Sequence, residues 1–335
     1  PGAELSAGWA ADVDLPQVVK DPPDHNEANW LYGYDPATST GAYLYLAAER
    51  DDAQLRRESV FVYLPDGSVL AGSGAGRGTR TGVAAGDHLE FECVEPWRRW
   101  IGRYRASMQR LVGDELVLGP PATRPEVVAS VEVAVESVSP VWDTEGAWGE
   151  QPPSLRYHQF YAATGRIDVE GEVHEFGGVG FRSHSRRRRD NMAGYTGHAI
   201  LNGFFPGSGR GFGLLRYRAT ADLPERGRGF VYVDGRMHDA DVVDWPHLTE
   251  ARSSGERVRV ELVTDDGMSV VVTGETAVAP FVTAGAGGRR LGVHDDDGAA
   301  FTLSPAICRW EWDGEVTYGA LERSAVPRSL TPLKG

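Results

Sequence analysis

Alternation between hydrophobic and polar residues is the clearest regular pattern along the chain. In Arg257–Thr264 the side chains of Val258, Val260 and Leu262 fall on one face of an extended strand, and those of Arg257, Arg259 and Glu261 fall on the other. A second such run, Met268–Thr273, follows after the pair Asp266-Gly267. Because glycine readily adopts the positive φ that a tight turn needs, this region predicts a β-hairpin.

Short runs of this kind extend over the whole chain, and 42 glycines and 20 prolines punctuate them. Helical periodicity is weak, and the best short helix candidates are Ala47–Arg57 and Asp241–Ser253. The pattern therefore predicts an all-β protein. The predicted strands outside the hairpin are Gly41–Ala48, Ser59–Leu64, His88–Val94, Trp100–Ser107, Glu115–Leu118, Val127–Ser137, Leu155–Val169, Val173–Ser183, Gly211–Ala219, Gly229–Val233, Ala300–Trp312 and Gly314–Glu322.

A change of composition near the middle of the chain predicts two domains. The stretch Val141–Pro153 contains Trp148, Gly149 and two adjacent prolines, and it separates two strand-rich halves. Closure of each half into a barrel would remove exposed edge strands. We therefore expect antiparallel β-domains over 1–145 and 146–335, each a barrel or sandwich with few short helices.

Composition and charge restrict the classes of partner. The chain is globular in composition, and its formal net charge of -14 repels phosphate backbones, which argues against nucleic acid. An integral membrane segment would need a run of about 18 apolar residues, and the sequence contains no such run. We therefore expect a soluble, cytoplasmic protein. The two cysteines, Cys93 and Cys308, are expected to be isolated thiols rather than a bridge. The oligomeric state stays open.

Two groups of residues are candidates for a binding pocket. The first is the run Glu95-Pro96-Trp97-Arg98-Arg99-Trp100, whose tryptophans and arginines can line a pocket for an anionic or aromatic ligand. A strand corner with structural tryptophans explains it as well. The second joins Tyr157–Tyr161 to Gly177–Ser185, two predicted strands that flank a turn at Glu170-Gly171.

Alternation on the second of these strands separates two sets of side chains. Phe181 and Ser183 share one face, and Arg182 and His184 share the other. Buried charge is costly unless it is paired or functional, and a histidine titrates near working pH. Arg182 and His184 therefore predict either a substrate site or a satisfied structural network.

Three further motifs carry less weight. The run 186–189 consists of four arginines, for which we favour ion pairing over substrate binding. The segment His294–Gly298 lacks the ligand spacing of a calcium loop, so no metal is predicted. The glycine-rich runs Gly72–Gly82 and Gly203–Gly213 do not link a strand to a helix, and we expect them to be flexible loops rather than nucleotide sites.

The order of several motifs resembles the carotenoid 1,2-hydratase and AttH-like superfamily, in particular its uncharacterised actinobacterial branch. The resemblance covers most of the chain, from about Asn29 to Glu322. The motifs that carry it are Glu95-Pro96-Trp97 with Trp100, Tyr157-His158-Gln159, Gly180–Ser185, Arg189-Asp190, Gly229–Tyr232 with Asp234-Gly235, and Tyr318-Gly319 with Glu322. It implies two lipocalin-like barrels in tandem. The chain departs from the pattern at Ser183, where the branch has aspartate, and at Arg186, where it has tryptophan.

Activities known in the superfamily imply a cofactor-independent enzyme of secondary metabolism that binds a hydrophobic small molecule. Because the aspartate is replaced, we expect a natural-product cyclase, and a pericyclase such as a Diels–Alderase is one form that this enzyme can take. A pericyclic reaction needs mainly a shaped pocket and a hydrogen bond to a carbonyl. The alternatives are an isoprenoid hydratase or dehydratase, and a non-catalytic lipid or polyketide carrier. The predicted catalytic residues are His184, Tyr157, Arg182 and Asp190. The predicted substrate-binding residues are Trp97, Trp100, Glu95, His158, Gln159, Phe181, Ser183 and Trp30.

Overall fold

The computed structural model describes residues 5–20, 23–49, 51–144, 154–188, 195–285, 288–296 and 299–332. The chain divides into two compact units. The first comprises Pro1–Pro65, Leu70–Gln109 and Pro125–Asn191, and the second comprises Asp66–Val69, Arg110–Arg124 and Met192–Gly335.

Strands dominate the described residues, and the helices are short: α1 (Ala11–Asp14), α2 (Glu115–Leu118) and one 3₁₀ turn at Pro327–Ser329. No described helix has the length and apolar character that a membrane span requires. The strands are β1 (His25–Asp35), β2 (Thr40–Ala48), β3 (Arg56–Tyr63), β4 (Val69–Gly76), β5 (Val83–Ala85), β6 (Leu89–Glu95), β7 (Arg99–Leu111), β8 (Val127–Ser137), β9 (Trp142–Asp143), β10 (Leu155–Val169), β11 (Glu172–Arg188), β12 (Gly197–Phe205), β13 (Arg210–Tyr217), β14 (Arg226–Val233), β15 (Arg236–Asp244), β16 (Glu250–Ala251), β17 (Arg257–Thr264), β18 (Ser269–Val278), β19 (Val282–Gly285), β20 (Gly288–Leu291), β21 (Ala299–Trp312), β22 (Glu315–Ala325) and β23 (Thr331–Pro332).

Eight strands close the first barrel in the order β4-β3-β2-β1-β11-β10-β8-β7, because β4 also pairs with β7. Strands β6 and β5 extend this sheet beyond β7, and β9 pairs with β10. Alternate side chains point inward and form one hydrophobic core that includes Leu31, Leu44, Phe91 and Val133. This inner face is the surface on which the candidate site is built.

The second barrel has the order β18-β17-β15-β14-β13-β12-β22-β21, and a pairing of β18 with β21 closes it. Its core includes Phe212, Val260 and Trp310. The hairpin predicted at Arg257–Thr264 and Met268–Thr273 is confirmed, since β17 and β18 pair in antiparallel register. The all-β class predicted from the alternation is therefore confirmed, as are the two barrels that the resemblance implies.

The strands at 155–188 join the first barrel rather than the second. Strand β11 pairs with β1 along ten positions, and β10 pairs with β8. The sequence places a boundary between residues 145 and 146, whereas the first compact unit continues to Asn191. The reason is physical: β10 and β11 complete the ring of eight strands, and without them β1 and β8 would both present unpaired edges.

Several local predictions are wrong. Glu115–Leu118 forms helix α2 instead of a strand, since glycines with positive φ at Gly113 and Gly119 confine it to one local turn. The helix candidate Ala47–Arg57 falls on the paired ends of β2 and β3. The candidate Asp241–Ser253 falls on the end of β15 and on β16.

The two glycine-rich runs are also not simply loops. The run that begins at Gly72 starts inside β4, and the run that begins at Gly203 starts inside β12. At Gly72 the side chain of Tyr104 fills the space that a Cβ would need. Glycine in these strands therefore permits close packing of a neighbouring ring.

Replacing Gly180 with alanine is expected to lower the free energy of unfolding by about 2–3 kcal/mol. A Cβ on Gly180 would overlap the backbone oxygen of Tyr32 and the ring of Tyr161. The matched control is Gly177→Ala on the same strand, where the nearest atom would lie at 3.9 Å. Chemical denaturation of both variants measures the difference, and equal stabilities would contradict the packing described here.

Candidate functional site

Polar side chains from β1, β10 and β11 meet inside the first barrel. Tyr157 is the register partner of His184, and Gln159 is the register partner of Arg182. Arg182 also lies opposite Leu31 of β1, and Leu31 belongs to the inner hydrophobic core. Alternation therefore directs these polar side chains into the barrel. We call the resulting group the buried polar cluster, which consists of Asp14, Glu27, Arg56, Tyr157, Arg182, His184 and Arg186.

Glu27 is the centre of one half of the cluster. Its carboxylate accepts hydrogen bonds from Arg56 Nη2 at 2.6 Å, from Arg186 Nε at 3.3 Å and from the backbone N–H of Gln17 at 3.1 Å. His184 Nε2 lies 2.7 Å from Glu27 Oε1. Burial alone would raise the pKa of Glu27, but the hydrogen bond from His184 and the neighbouring positive charges lower it to about 2. Glu27 is therefore a buried, ionised carboxylate.

The Tyr157 hydroxyl links the two halves of the cluster. Its oxygen lies 3.0 Å from His184 Nδ1 and accepts a hydrogen bond from Arg182 Nη2 at 2.7 Å. It also makes a short hydrogen bond to Asp14 Oδ1. Tyr157 is fully buried, and this burial raises the pKa of its hydroxyl well above 10, so the phenol keeps its proton. Three polar partners thus converge on one phenolic oxygen.

Asp14 is the centre of the other half. Its Oδ1 lies 2.6 Å from Arg182 Nη2 and also accepts from Tyr157. Its Oδ2 accepts from the backbone N–H of Trp97 at 2.6 Å and from Trp100 Nε1 at 2.9 Å. Burial opposes ionisation of Asp14, but Arg182 and the other groups around the carboxylate, among them the Trp97 N–H and the Tyr157 hydroxyl, together outweigh it and hold the pKa of this carboxyl below its usual value. The carboxylate is therefore fully enclosed by donors.

His184 is held as a neutral imidazole. Burial lowers its pKa, and the hydrogen bond to Glu27 raises it only in part. The three guanidinium groups of Arg56, Arg182 and Arg186 already outnumber the two carboxylates of the cluster, so a further positive charge on His184 is unfavourable. With Nε2 donating to Glu27, Nδ1 is an unprotonated acceptor 3.0 Å from the Tyr157 oxygen, whose single proton is donated to Asp14 in this structure and could turn to Nδ1 if Asp14 left. A carboxylate, an imidazole and a hydroxyl in this order form the arrangement that activates a proton for transfer.

The turn before β7 supplies the aromatic side of the cluster. Trp97 has a φ of 66°, a conformation that L-residues rarely adopt and that aims its N–H at Asp14. Its carbonyl oxygen accepts from Gln159 Nε2 at 3.1 Å. The guanidinium carbon of Arg182 lies 3.9 Å from the ring centroid of Trp100, which is a cation–π contact. Two residues predicted for substrate binding, Trp97 and Trp100, therefore touch the cluster, and a third, Gln159, binds Trp97.

Four other predicted substrate-binding residues lie on the opposite face of the sheet. His158 packs on Phe181 with ring centroids 4.8 Å apart, and Trp30 lies 5.8 Å from the same ring. Ser183 pairs with Trp30 and His158 in the strand register. This set is buried, but the sheet separates it from His184.

Glu95 lies apart from the buried polar cluster. The Glu95 side chain is 43% exposed and pairs with Arg98 and Arg99. Asp190 lies outside the described residues, as does Arg189. Within the arginine run, Arg186 pairs with Glu27, so ion pairing holds at that position.

The sequence missed the carboxylates of the cluster. Asp14 comes from α1, a single turn without periodicity, and Glu27 comes from β1, which was not predicted as a strand. Every residue of β1 is buried, so polar and apolar side chains do not alternate along it. The available signal was indirect: two buried cations on one strand, Arg182 and His184, require buried anions nearby.

The cluster itself is closed in this structure. Tyr157 and His184 are both 0% exposed. Two clefts of about 520 and 490 Å³ on the first unit are lined by other residues, among them His88, Arg103 and Arg166. A substrate can reach the cluster only if a covering segment moves, and the segment that covers it contains Trp9 and Asp14.

Lowering the pH from 7 to 5 is expected to cost about 2 kcal/mol of stability through His158. Burial lowers the pKa of His158 well below 6.5, and neither ring nitrogen has a hydrogen-bond partner among the described residues. Below pH 6.5 the unfolded chain therefore takes up a proton at this position that the folded chain does not. This stability is present above the unfolded-state pKa and is lost as the pH falls below it.

Thermal or urea unfolding at several pH values tests this prediction. His158→Phe keeps an aromatic ring beside Phe181 and removes the titrating group, so its pH dependence should be shallower than that of the wild type. Equal slopes for the two proteins would show that His158 is protonated in the folded state.

Solved structures with the same architecture define the class of fold. An AttH-like protein of Nitrosomonas europaea is 13% identical to this chain, with a TM-score of 0.55 and coverage of 93% of this chain and 97% of that one. CghA, solved with Sch210972, is 10% identical with a TM-score of 0.55 and the same coverages. Kievitone hydratase from Nectria haematococca is 8% identical, with a TM-score of 0.50 and coverage of 90% and 88%. The chain thus has the lipocalin-like AttH fold.

The chain belongs to the family described as a domain of unknown function, DUF7064, whose model matches residues 11–327. Comparison with curated proteins finds no match. The matched range includes every member of the buried polar cluster.

Proposed function

We propose that this protein is a cofactor-independent cyclase that acts on a hydrophobic polyene or polyketide bearing a carbonyl group. The observation that carries the proposal is the Tyr157 hydroxyl, which lies buried among Arg182, His184 and Asp14. A carbonyl oxygen in the position of Asp14 Oδ1 receives hydrogen bonds from both Tyr157 and Arg182. Two preorganised donors in a water-free site stabilise negative charge that develops on such an oxygen.

His184 and Glu27 position the Tyr157 proton. Glu27 fixes the imidazole by accepting from Nε2, and Nδ1 then faces the phenol. The single Tyr157 proton is donated either to the carbonyl oxygen or to His184 Nδ1, and its transfer between the two residues requires no water because both side chains are buried. The aromatic rings of Trp97 and Trp100 supply the apolar wall that a polyene requires.

Hydration or dehydration of a double bond is the second candidate. The replacement of the family's aspartate by Ser183 argued against an acid, but Ser183 lies on the opposite sheet face from His184. Asp14 and Glu27 supply two ionised carboxylates next to the imidazole, which can act as the base, and Tyr157 is the protonated group of the cluster. An acid and a base within one cluster are what hydration requires. The fold shared with kievitone hydratase also supports this candidate.

Incubation with a panel of linear conjugated polyenes that end in a ketone, ester, amide or acid tests the proposal. Analysis by liquid chromatography and mass spectrometry should show conversion of at least one member to an isomer of unchanged mass, with loss of its polyene absorbance. A carrier would bind panel members and return them unchanged, and that result would overturn the assignment as an enzyme.

A further inference from the structure

We propose that Asp14 occupies a carboxylate-binding site of this protein, and that the ligand which displaces it is a hydrophobic carboxylic acid. This inference rests on the proposed function and specifies its substrate class: the carbonyl group held by Tyr157 and Arg182 belongs to a carboxylate. The segment 5–20, which carries Asp14, is then a removable cover over the buried polar cluster.

The donors around Asp14 form a built anion site. Oδ1 accepts from Arg182 Nη2 and Tyr157, and Oδ2 accepts from the Trp97 N–H and from Trp100 Nε1. All four donors belong to the barrel strands or to the turn before β7, so none comes from the segment that carries Asp14. They hold a carboxylate through both oxygens, whichever molecule supplies it.

Unused hydrogen-bond donors at the same place point to a ligand. Arg182 is 4% exposed, and its Nη1 has no hydrogen-bond partner among the described residues. Trp97 is 4% exposed, and its Nε1 likewise has none. Buried donors without a partner are rare in folded proteins. Asp14 thus does not use the full donor capacity of its site, whereas a ligand with further oxygen atoms can use it.

Apolar side chains surround the anion site and set the character of the rest of the ligand. The Trp9 ring lies 5.8 Å from Trp97 and 5.7 Å from Tyr157. Leu5 and Val13 of the same segment pack on a small apolar group that consists of Trp97, Val141, Leu155 and Tyr157. When the segment leaves, the surface that it uncovers combines a carboxylate site with aromatic walls, which fits a hydrophobic acid.

The covering segment is attached to the barrel mainly through side chains and not by strand pairing. Among its described residues none belongs to a strand, and helix α1 is four residues long. Besides Asp14, its backbone carbonyls accept hydrogen bonds from side chains of the barrel: Leu15 from Arg186, Gln17 from Arg56 Nη2 at 2.8 Å, and Val18 from Gln54. The Gln17 N–H donates to Glu27 at 3.1 Å, and the Leu5 carbonyl accepts from the Val141 N–H at 2.9 Å. Val19 is 72% exposed. A segment held mainly by side chains opens more readily than a paired strand.

Calorimetric titration with decanoate tests the site on wild type, Asp14→Ala and the control Asp12→Ala, whose residue is exposed on the same helix. Asp14→Ala should bind decanoate at least tenfold more tightly than wild type and Asp12→Ala, because the internal competitor is removed. Decanol should bind Asp14→Ala at least tenfold more weakly than decanoate. Equal decanoate affinity of Asp14→Ala and wild type would overturn the proposal, as would equal affinity for decanoate and decanol.

Proteolysis of the wild type provides a second test that does not depend on the folding of a variant. Displacement of the cover should accelerate tryptic cleavage after Lys20 at least fivefold at saturating decanoate and leave it unchanged with decanol. An unchanged rate with decanoate would overturn the displacement. Failure of the proposed function gives a different result, since decanoate would then bind while every acid in the panel is returned unchanged.

Discussion

Replacing Tyr157 with phenylalanine is expected to lower the turnover number about 10²–10³-fold, the usual effect of removing one donor from a site that stabilises an oxyanion. The change deletes one oxygen atom, and that oxygen contacts Asp14, His184 and Arg182 at once. The ring stays, so its contacts with Trp9 and Trp97 are kept. Because the lost bond acts in the transition state, kcat should fall while KM changes little.

Tyr161→Phe is the matched control for this variant. Tyr161 lies on the same strand and the same inner face, is buried to a similar degree, and donates its hydroxyl hydrogen bond to the backbone oxygen of Tyr32. Removal of the Tyr161 hydroxyl deletes a comparable buried hydrogen bond but no hydrogen bond of the buried polar cluster. Turnover should therefore stay within about twofold of wild type. Equal losses for the two variants would assign Tyr157 a structural role.

Replacing Glu27 with glutamine is expected to lower the free energy of unfolding by about 3–5 kcal/mol. Glu27 is 2% exposed and compensates the positive charges of Arg56 and Arg186, whose guanidinium groups have no other carboxylate described beside them. Glutamine keeps the size of the side chain but leaves this buried positive charge unbalanced. Urea denaturation measures the loss.

Glu132→Gln serves as the control for charge removal. The Glu132 side chain is 60% exposed and pairs with Arg103 at 2.9 Å, so solvent screens the interaction. A loss below about 1 kcal/mol is expected there. If Glu27→Gln were as mild as Glu132→Gln, the cluster would have to be accessible to water, and the description of a dry proton-transfer site would be wrong.

Local rules predicted one part of the site and could not predict the other. Alternation on β11 was sufficient to place Arg182 and His184 on one face, because a strand's period of two follows from its backbone geometry. Tyr157 came from the neighbouring strand of the same hairpin. These three residues are close in sequence, or joined by one turn, so short-range patterns contain the information.

The partners from distant parts of the chain were beyond such rules. Glu27 meets His184 because β1 pairs with β11, strands about 150 residues apart along the chain, and no local pattern encodes that pairing. Asp14 lies on a four-residue helix with no apolar periodicity. The sheet around β11 is buried on both faces, so burial does not distinguish the two faces. Phe181 and His158 were therefore predicted to bind substrate, although they lie on the face opposite the buried polar cluster.

The domain boundary illustrates the same limit. The prolines and glycines of 141–153 predict a break in the chain, but a break between strands is not a break between barrels. Hydrogen bonding of β10 to β8 carries the first barrel past that point. Only the closure of the ring shows which strands belong together, and closure is a property of the whole sheet.

The most direct test of the central claim is the mass of the product that the wild type forms from a carbonyl-bearing polyene in oxygen-18 water. A cyclase forms an isomer of the substrate that contains no oxygen-18 from solvent, and this is the result that we predict. A product heavier by one molecule of water and labelled with oxygen-18 would contradict cyclisation and establish hydration at the same cluster.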